Sequence, residues 1–237
     1  MLAGSQVPAM AQLAPEDLLK HPLFGCLGVA EAERLLAQQR PISAAVDQPL
    51  LLFQDEGEGP LLILRGLVKV RAFSADGSEV VMAVLGPGDL FGDMAVLLGG
   101  VRSSDVVALT PLEAVRLMAR PFRDQLHHDA RLALALARLQ AERLQAMNQR
   151  FLLRGSDATT RLLAVLLDLA HRCSGGSDPQ ALIPPLAQRE LAAMAGLSRE
   201  TASRSFNQLR QRGVIHSDAC GTRLIDQQAL RQRGLLR

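Results

Sequence analysis

The feature that most constrains this chain is a change of hydrophobic period near residue 120. Between about Gln48 and Met118, short apolar runs are punctuated by Asp55-Glu56-Gly57-Glu58-Gly59-Pro60, Asp76-Gly77, Gly86-Pro87-Gly88-Asp89 and Gly99-Gly100. These residues supply the left-handed or proline-fixed positions of tight connections. Strands are therefore expected at Pro49 to Phe53, Leu61 to Arg65, Leu67 to Phe73, Glu79 to Leu85, Asp105 to Leu109 and Leu112 to Met118. Regular short strands of this kind predict a small antiparallel sandwich, roll or barrel. Alternation in Leu67-Val68-Lys69-Val70-Arg71-Ala72-Phe73 places Lys69 and Arg71 on the solvent face.

From Pro121 to about Leu153 the turn residues vanish, and Leu, Ala, Gln and Arg dominate. Proline fits a first helical turn, so one long helix is expected. Leu132, Leu136, Leu139, Leu144, Met147 and Phe151 form a coiled-coil-like seam with one irregular step of five. Such a seam serves either self-packing or dimerisation. Gly155-Ser156-Asp157 ends the helix, and Asp157 or Thr159 can cap a further helix reaching about Arg172. An exposed loop or hairpin tip is expected over Ser174-Gly175-Gly176-Ser177-Asp178-Pro179.

At 237 residues and 48% hydrophobic content, the chain can build two cores. Its longest apolar stretches are broken by Arg138 or Asp168, short of the roughly 20 residues of a membrane span. The stretch Met1 to Ala14 lacks the basic start and apolar run of an export signal, which predicts a cytoplasmic chain with a frayed leader. Cys26, Cys173 and Cys220 show no metal-type spacing, so neither disulfides nor a zinc site is expected. No nucleophile-base set is evident either, which argues against an enzyme.

The net charge of +2 is too small to signal a nucleic-acid partner, but its distribution is uneven. Between Ala187 and Arg223, six arginines (Arg189, Arg199, Arg204, Arg210, Arg212, Arg223) face three acids (Glu190, Glu200, Asp218). That excess favours phosphate contact. The absence of Trp and Tyr argues against a single-strand stacking surface.

The same segment has helix-turn-helix spacing, with one helix from Ala187 to Ala195, a turn at Gly196-Leu197 and a second helix from Ser198 to Arg212. Leu191, Met194, Leu197, Ala202, Phe206 and Leu209 form the inner face, and Ser198 is placed to cap the second helix. Arg199, Glu200 and Arg204 then project outward together. An arginine fork matches guanine N7 and O6, and a carboxylate accepts from cytosine N4. Thr201 and Ser203 can reach phosphates. The runs Gly213-Val214-Ile215-His216 and Thr222-Arg223-Leu224-Ile225, turned at Asp218 to Gly221, predict a hairpin wing that brings Arg223 near the DNA backbone.

The run Gly196-Leu197-Ser198-Arg199-Glu200-Thr201, with Arg204, Leu209 and Gly213-Val214-Ile215, resembles the winged helix of the cyclic-AMP receptor protein (CRP)/FNR family. The resemblance extends from about Gln48 to Ile225. It implies an α+β fold with an N-terminal antiparallel β-roll or jelly-roll sensory domain (residues 15-120), a dimerisation helix (121-154) and a winged helix-turn-helix (155-237). It further implies a bacterial, cytoplasmic, homodimeric regulator of double-stranded DNA that reads a palindrome of TGTGA-like half-sites, with RNA polymerase as a partner.

Gly86-Pro87-Gly88-Asp89-Leu90-Phe91-Gly92-Asp93 and Val101-Arg102-Ser103-Ser104 resemble the phosphate-binding cassette of cyclic-nucleotide domains. Backbone N–H groups from Gly92 through Met94 and Ala95 can face a phosphate, with Arg102 neutralising it and Ser103 and Ser104 beside it. By the resemblance, Asp93 accepts from a ribose hydroxyl. Two departures stand out: Asp93 replaces the family's usual Glu, and Ala146 and Met147 replace the adenine-contacting Thr-Ser pair. Neither can donate through its side chain. Asn148 or Gln145 is a substitute donor, and cyclic di-GMP or cyclic GMP competes with cyclic AMP as effector. Two alternatives stand beside this: Asp93 and Arg102 as a purely structural ion pair, and a ligand-independent regulator acting through another protein. An iron-sulfur cluster lacks its thiolates, and the adjacent His127 and His128, expected near a helix start, point to different sides.

Overall fold

The computed structural model describes residues 12–176 and 178–236, so all but the last three residues of the expected leader lie outside it. In chain order the elements begin with α1 (Pro15–Leu19), α2 (Val29–Leu36), β1 (Arg40–Ala44), β2 (Pro49–Leu51), β3 (Leu61–Arg65), β4 (Val68–Phe73) and β5 (Glu79–Leu85). They continue with β6 (Leu90–Phe91), α3 (Asp93–Leu98), β7 (Asp105–Ala108), β8 (Leu112–Arg116), α4 (Ala119–His128), α5 (Ala130–Leu153) and α6 (Ala158–Cys173). The C-terminal part is α7 (Gln188–Ala195), α8 (Arg199–Gln211), β9 (Ile215–Asp218), β10 (Gly221–Leu224) and α9 (Gln227–Arg231). Among the described residues no helix is long and apolar enough to cross a membrane.

The fold is α+β. Two antiparallel four-stranded sheets, ordered β1-β8-β3-β6 and β2-β7-β4-β5, face each other as a jelly roll. Inward residues of both sheets, among them Leu61, Ile63, Val68, Leu85, Phe91, Val106 and Leu112, fill the space between them. The outer face of the first sheet is covered by helices: Leu62, Leu90, Val115 and Leu117 pack with Phe24, Leu35, Phe122, Leu132 and Leu136. The C-terminal helices bury their own core around Leu162, Leu166, Leu191, Phe206, Leu209 and Ile215, and that core is continuous with Leu67, Val84 and Leu109 of the roll. The C-terminal part is thus packed on the roll.

Four expectations need correction. The single helix from Pro121 is two, because Asp129 leaves helical geometry and accepts from the N–H groups of Arg131 and Leu132, capping a new helix. His127 and His128 accordingly sit in the last turn of α4 and not near a start. The six-residue seam is also divided. Leu132 and Leu136, with Leu139 beside them, pack on the roll, whereas Leu144, Met147 and Phe151 stay exposed.

The fourth correction concerns Lys69, which is not on a solvent face but 4% exposed. Strand alternation aims it away from the sandwich interior, and the surface it meets there is the C-terminal part. Its ammonium lies 2.6 Å from Glu190 Oε2 on α7 and 2.7 Å from Glu79 Oε1 on β5. Arg71 is half-buried, bound to Glu79 and Asp105. Arg189 to Asp47 (2.8 Å) and Arg172 to Asp89 (2.9 Å) add two more ion pairs between the parts.

A buried ion pair is strongly destabilised when one partner is removed and much less so when both become apolar. Lys69→Met is expected to cost about 3 kcal/mol in urea unfolding, with Lys69→Met/Glu190→Met recovering most of the loss. Equal costs for the single and the double variant would contradict this packing.

Candidate DNA-reading and effector sites

The second helix of the helix-turn-helix is placed by a glycine and a serine. Gly196 adopts φ 60°, and its carbonyl accepts from Arg161; a Cβ there would meet the Arg161 guanidinium at 2.6 Å. Ser198 caps α8, its Oγ accepting from the Thr201 N–H at 3.2 Å. Ala202, Phe206 and Leu209 are buried against α6 and α7, with Leu191 behind them. Arg199, Glu200 and Arg204 are therefore left on the exposed side together.

Among the described residues these three form no salt bridge. Glu190 pairs with Lys69 and Arg189 and Asp218 with His216, and Arg204 contacts the Thr201 hydroxyl at 3.4 Å. The Glu200 carboxyl lies below its ordinary pKa because its own N–H and the Ser198 hydroxyl stabilise the anion, with Arg199 and Arg204 adding to it. It is an ionised acceptor at neutral pH. Ser198 is exposed at the start of the helix, and Thr201 and Ser203 are half-buried. Arg223 is exposed on β10 of the hairpin, where it donates to the Gln180 carbonyl at 3.1 Å.

The second site is built around a buried guanidinium. Arg102 is 3% exposed, and its Nη groups donate to the carbonyls of Gly92 and, at 2.8 Å, Gly59. Glycines make room for it: a Cβ on Gly92 would stand 2.6 Å from Nη1, and one on Gly57 would stand 3.3 Å from Cζ. No carboxylate lies within ion-pairing distance among the described residues, and Arg102 Nε is buried without a partner. Burial lowers the pKa of this guanidinium, while the charges of Asp55 and Asp93 act the other way. Asp93 and Arg102 are therefore not an ion pair with each other.

Asp93 opens α3 and is 2% exposed, paired instead with Arg143 and Gln140 of α5. Met94 is exposed and Ala95 buried in the same turn. Ser103 is exposed and Ser104 half-buried beside Arg102. Asn148 lies on the exposed side of α5. Gln140 and Arg143 of α5 reach the cassette through Asp93, one to two turns before Ala146 and Met147. No local pattern distinguishes them from the other polar residues of that helix, such as Arg138, Glu142 and Gln145. A cleft of about 1180 Å³ lies between α2 and the α4–α5 junction, lined by Arg34, Asp124, His128 and Arg131 and, at one end, by Gly57 and Glu58.

Comparison with known proteins decides the family. A cyclic nucleotide-binding domain matches residues 43–129 and a Crp-like helix-turn-helix domain matches residues 160–233. The cyclic AMP receptor protein of Thermus thermophilus is 32% identical over 82% of this chain and 88% of that protein. This chain belongs to the CRP/FNR family. It is a CRP-like DNA-binding transcription regulator with a cyclic-nucleotide-binding domain, and its relatives are regulators, not enzymes. The CRP-like cAMP-activated global transcriptional regulator of Mycobacterium tuberculosis is 27% identical over 92% of this chain and 98% of that protein. In fold, the chain matches FixK2 of Bradyrhizobium japonicum with a TM-score of 0.72, over 82% of this chain and 96% of that one, at 22% identity.

The Arg102 cradle makes a direct prediction. Gly92 holds φ 75° and touches the guanidinium, so Gly92→Ala combines left-handed strain of about 1–2 kcal/mol with a displaced arginine. Its thermal midpoint is expected several degrees below wild type; an unchanged midpoint would show that the cradle is not tightly built.

Proposed function

We propose that this regulator is a homodimer whose cassette binds a cyclic nucleotide and whose two α8 helices read a palindrome of TGTGA-like half-sites. The observation that carries the effector site is the buried, unpaired Arg102. A guanidinium withdrawn from water without a counter-charge is costly, and a cyclic phosphate supplies both the charge and an acceptor for Nε. The Gly92-to-Ala95 backbone, Ser103 and Ser104 adjoin that position. Cyclic AMP is the first candidate, because the curated relatives at 32% and 27% identity carry it in their names. Cyclic GMP and cyclic di-GMP are the competitors. A ligand-independent role is not favoured, since the cyclic-nucleotide-binding match spans the cassette.

Dimerisation is supported by the far side of α5. Ala137, Leu144 and Phe151 recur every seven residues, with Leu134, Ala141 and Met147 flanking them, and all six are exposed. Apolar residues at coiled-coil spacing are buried by a partner helix. A second copy related by two-fold symmetry would set two α8 helices against successive major grooves, roughly 34 Å apart. Arg199, Glu200 and Arg204 then contact base edges, while Ser198, Thr201, Ser203 and Arg223 contact phosphates. The setting is the bacterial cytoplasm, with RNA polymerase as the downstream partner.

Each bidentate arginine is worth about 1–3 kcal/mol of base discrimination. Arg199→Ala and Arg204→Ala should each weaken binding to a TGTGA palindrome roughly tenfold or more by fluorescence anisotropy, while affinity for unrelated duplex stays near wild type. Unchanged affinity for the palindrome in both variants would overturn the assignment of readers.

A further inference from the structure

Helix α7 carries a single cation, and it stands where a helix least favours one. Arg189 is the second residue of α7, in its first turn, where the helix dipole stabilises anions and not cations. Two carboxylates answer it: Nε donates to Glu190 Oε1 at 3.2 Å, and Nη2 donates to Asp47 Oδ2 at 2.8 Å. Glu190 is buried and is held by Lys69 as well, so it stays in place whatever Arg189 does. The Asp47 contact is of another kind, because both of its side chains are exposed, Arg189 at 62% and Asp47 at 57%. Asp47 belongs to the roll, in the turn between β1 and β2, and has a positive φ of 65°. Aspartate is one of the few residues that take this conformation readily. The turn is fixed by the Asp47 N–H on the Ala108 carbonyl and the Ala45 N–H on Gln48 Oε1, and the carboxylate is thereby held out towards α7.

We propose that Arg189 is a further contact to the DNA backbone and that Asp47 occupies it in the free protein, so that the roll and a DNA phosphate compete for one guanidinium. In a helix-turn-helix the first helix crosses the sugar-phosphate backbone while the second enters the groove. Basic side chains and helix N-termini are the groups that reach phosphates, and Arg189 is a basic side chain at such an N-terminus. The inference rests on the proposed docking of the helix-turn-helix in the major groove. An exposed ion pair contributes little to stability, whereas a phosphate contact releases a condensed counterion, so the exchange favours DNA. The surroundings allow the pair to open. A cavity of about 250 Å³ lies between the roll and α7, lined by Val46, Leu109 and Leu186 as well as by Asp47 and Arg189; the pair therefore bridges a gap and parts without unpacking a core. Once Arg189 turns to a phosphate, Asp47 is left without its partner and its charge opposes the DNA. Asp47 is thus an inhibitory residue carried by the roll, and a rearrangement that separates the β1–β2 turn from α7 raises the affinity for duplex whatever its sequence.

The test is fluorescence anisotropy of the full chain on the TGTGA palindrome and on unrelated duplex across a salt series. Cyclic AMP, cyclic GMP, cyclic di-GMP or no nucleotide is present, whichever gives the tightest DNA binding. Wild type is compared with Asp47→Asn, Arg189→Gln, Arg189→Lys and Asp47→Asn/Arg189→Gln; asparagine keeps the left-handed turn, and lysine keeps the charge. Arg189→Gln is expected to weaken binding to both duplexes and to lower the salt slope by about 0.9 per protomer, with Arg189→Lys restoring the slope. Asp47→Asn should tighten both complexes roughly threefold or more, and the double variant should lie within about twofold of Arg189→Gln, because the gain requires the guanidinium. An equal gain from Asp47→Asn with and without Arg189 is plain charge repulsion and overturns the competition. Wild-type affinity and slope in Arg189→Gln overturn the backbone contact and leave the base readers of α8 standing. Arg199→Ala and Arg204→Ala at wild-type affinity, with the Asp47 and Arg189 effects intact, overturn the choice of base readers and still support this contact.

Discussion

A guanidinium can be withdrawn from water only if something replaces the water, and Arg102 is held on that condition. Two backbone carbonyls and a wall of glycines receive its Nη groups, but neither carries the negative charge that a buried cation needs. Gly57 and Gly92 leave room for this one side chain, and Gly59 of the β2–β3 connection lends it a carbonyl. In the proposed function an anion at Nε would complete the set, which would make the cassette a charge receptor before it is a nucleotide receptor.

The long helix α5 connects that receptor to the rest of the molecule. Its first half packs on the roll through Leu132 and Leu136; its middle enters the cassette through Gln140 and Arg143; its end holds Asp168 of α6 and the Met82 carbonyl of β5 through Arg150. Lys69 and Glu190 then tie α7 to β4. In the proposed function, a shift of α5 relative to the cassette would reach the helix-turn-helix through contacts of this kind. Thermodynamic linkage requires the transmission to run both ways.

How much of this was legible in the sequence depended on the range of the interactions. Turn glycines and prolines act locally, and β3 and β5 fall where those residues place them; so do the Gly196 turn and the Ser198 cap. Strands β1 and β6 were missed because β1 carries Pro41 and little alternation and β6 is only two residues long, both being defined by pairing with distant partners. The capping role of Asp129 was masked by an unbroken helical composition around it. Lys69 was misplaced because alternation reports which face of a strand a residue takes, not what lies above that face. Gln140 and Arg143 as partners of Asp93 were not foreseen for a related reason: the helix supplying them is 47 to 50 residues away, and its rotation about its axis is set by packing that no local pattern encodes.

The central claim is that the nucleotide site and the DNA-reading helices are energetically coupled through α5. The direct measurement is a calorimetric titration of the binding nucleotide into the free protein and into its complex with the TGTGA palindrome. Coupling predicts a nucleotide affinity that changes on DNA by the same factor by which the nucleotide changes the affinity for DNA, typically 5–150-fold (about 1–3 kcal/mol). Identical nucleotide affinities in the free and DNA-bound states would contradict the account.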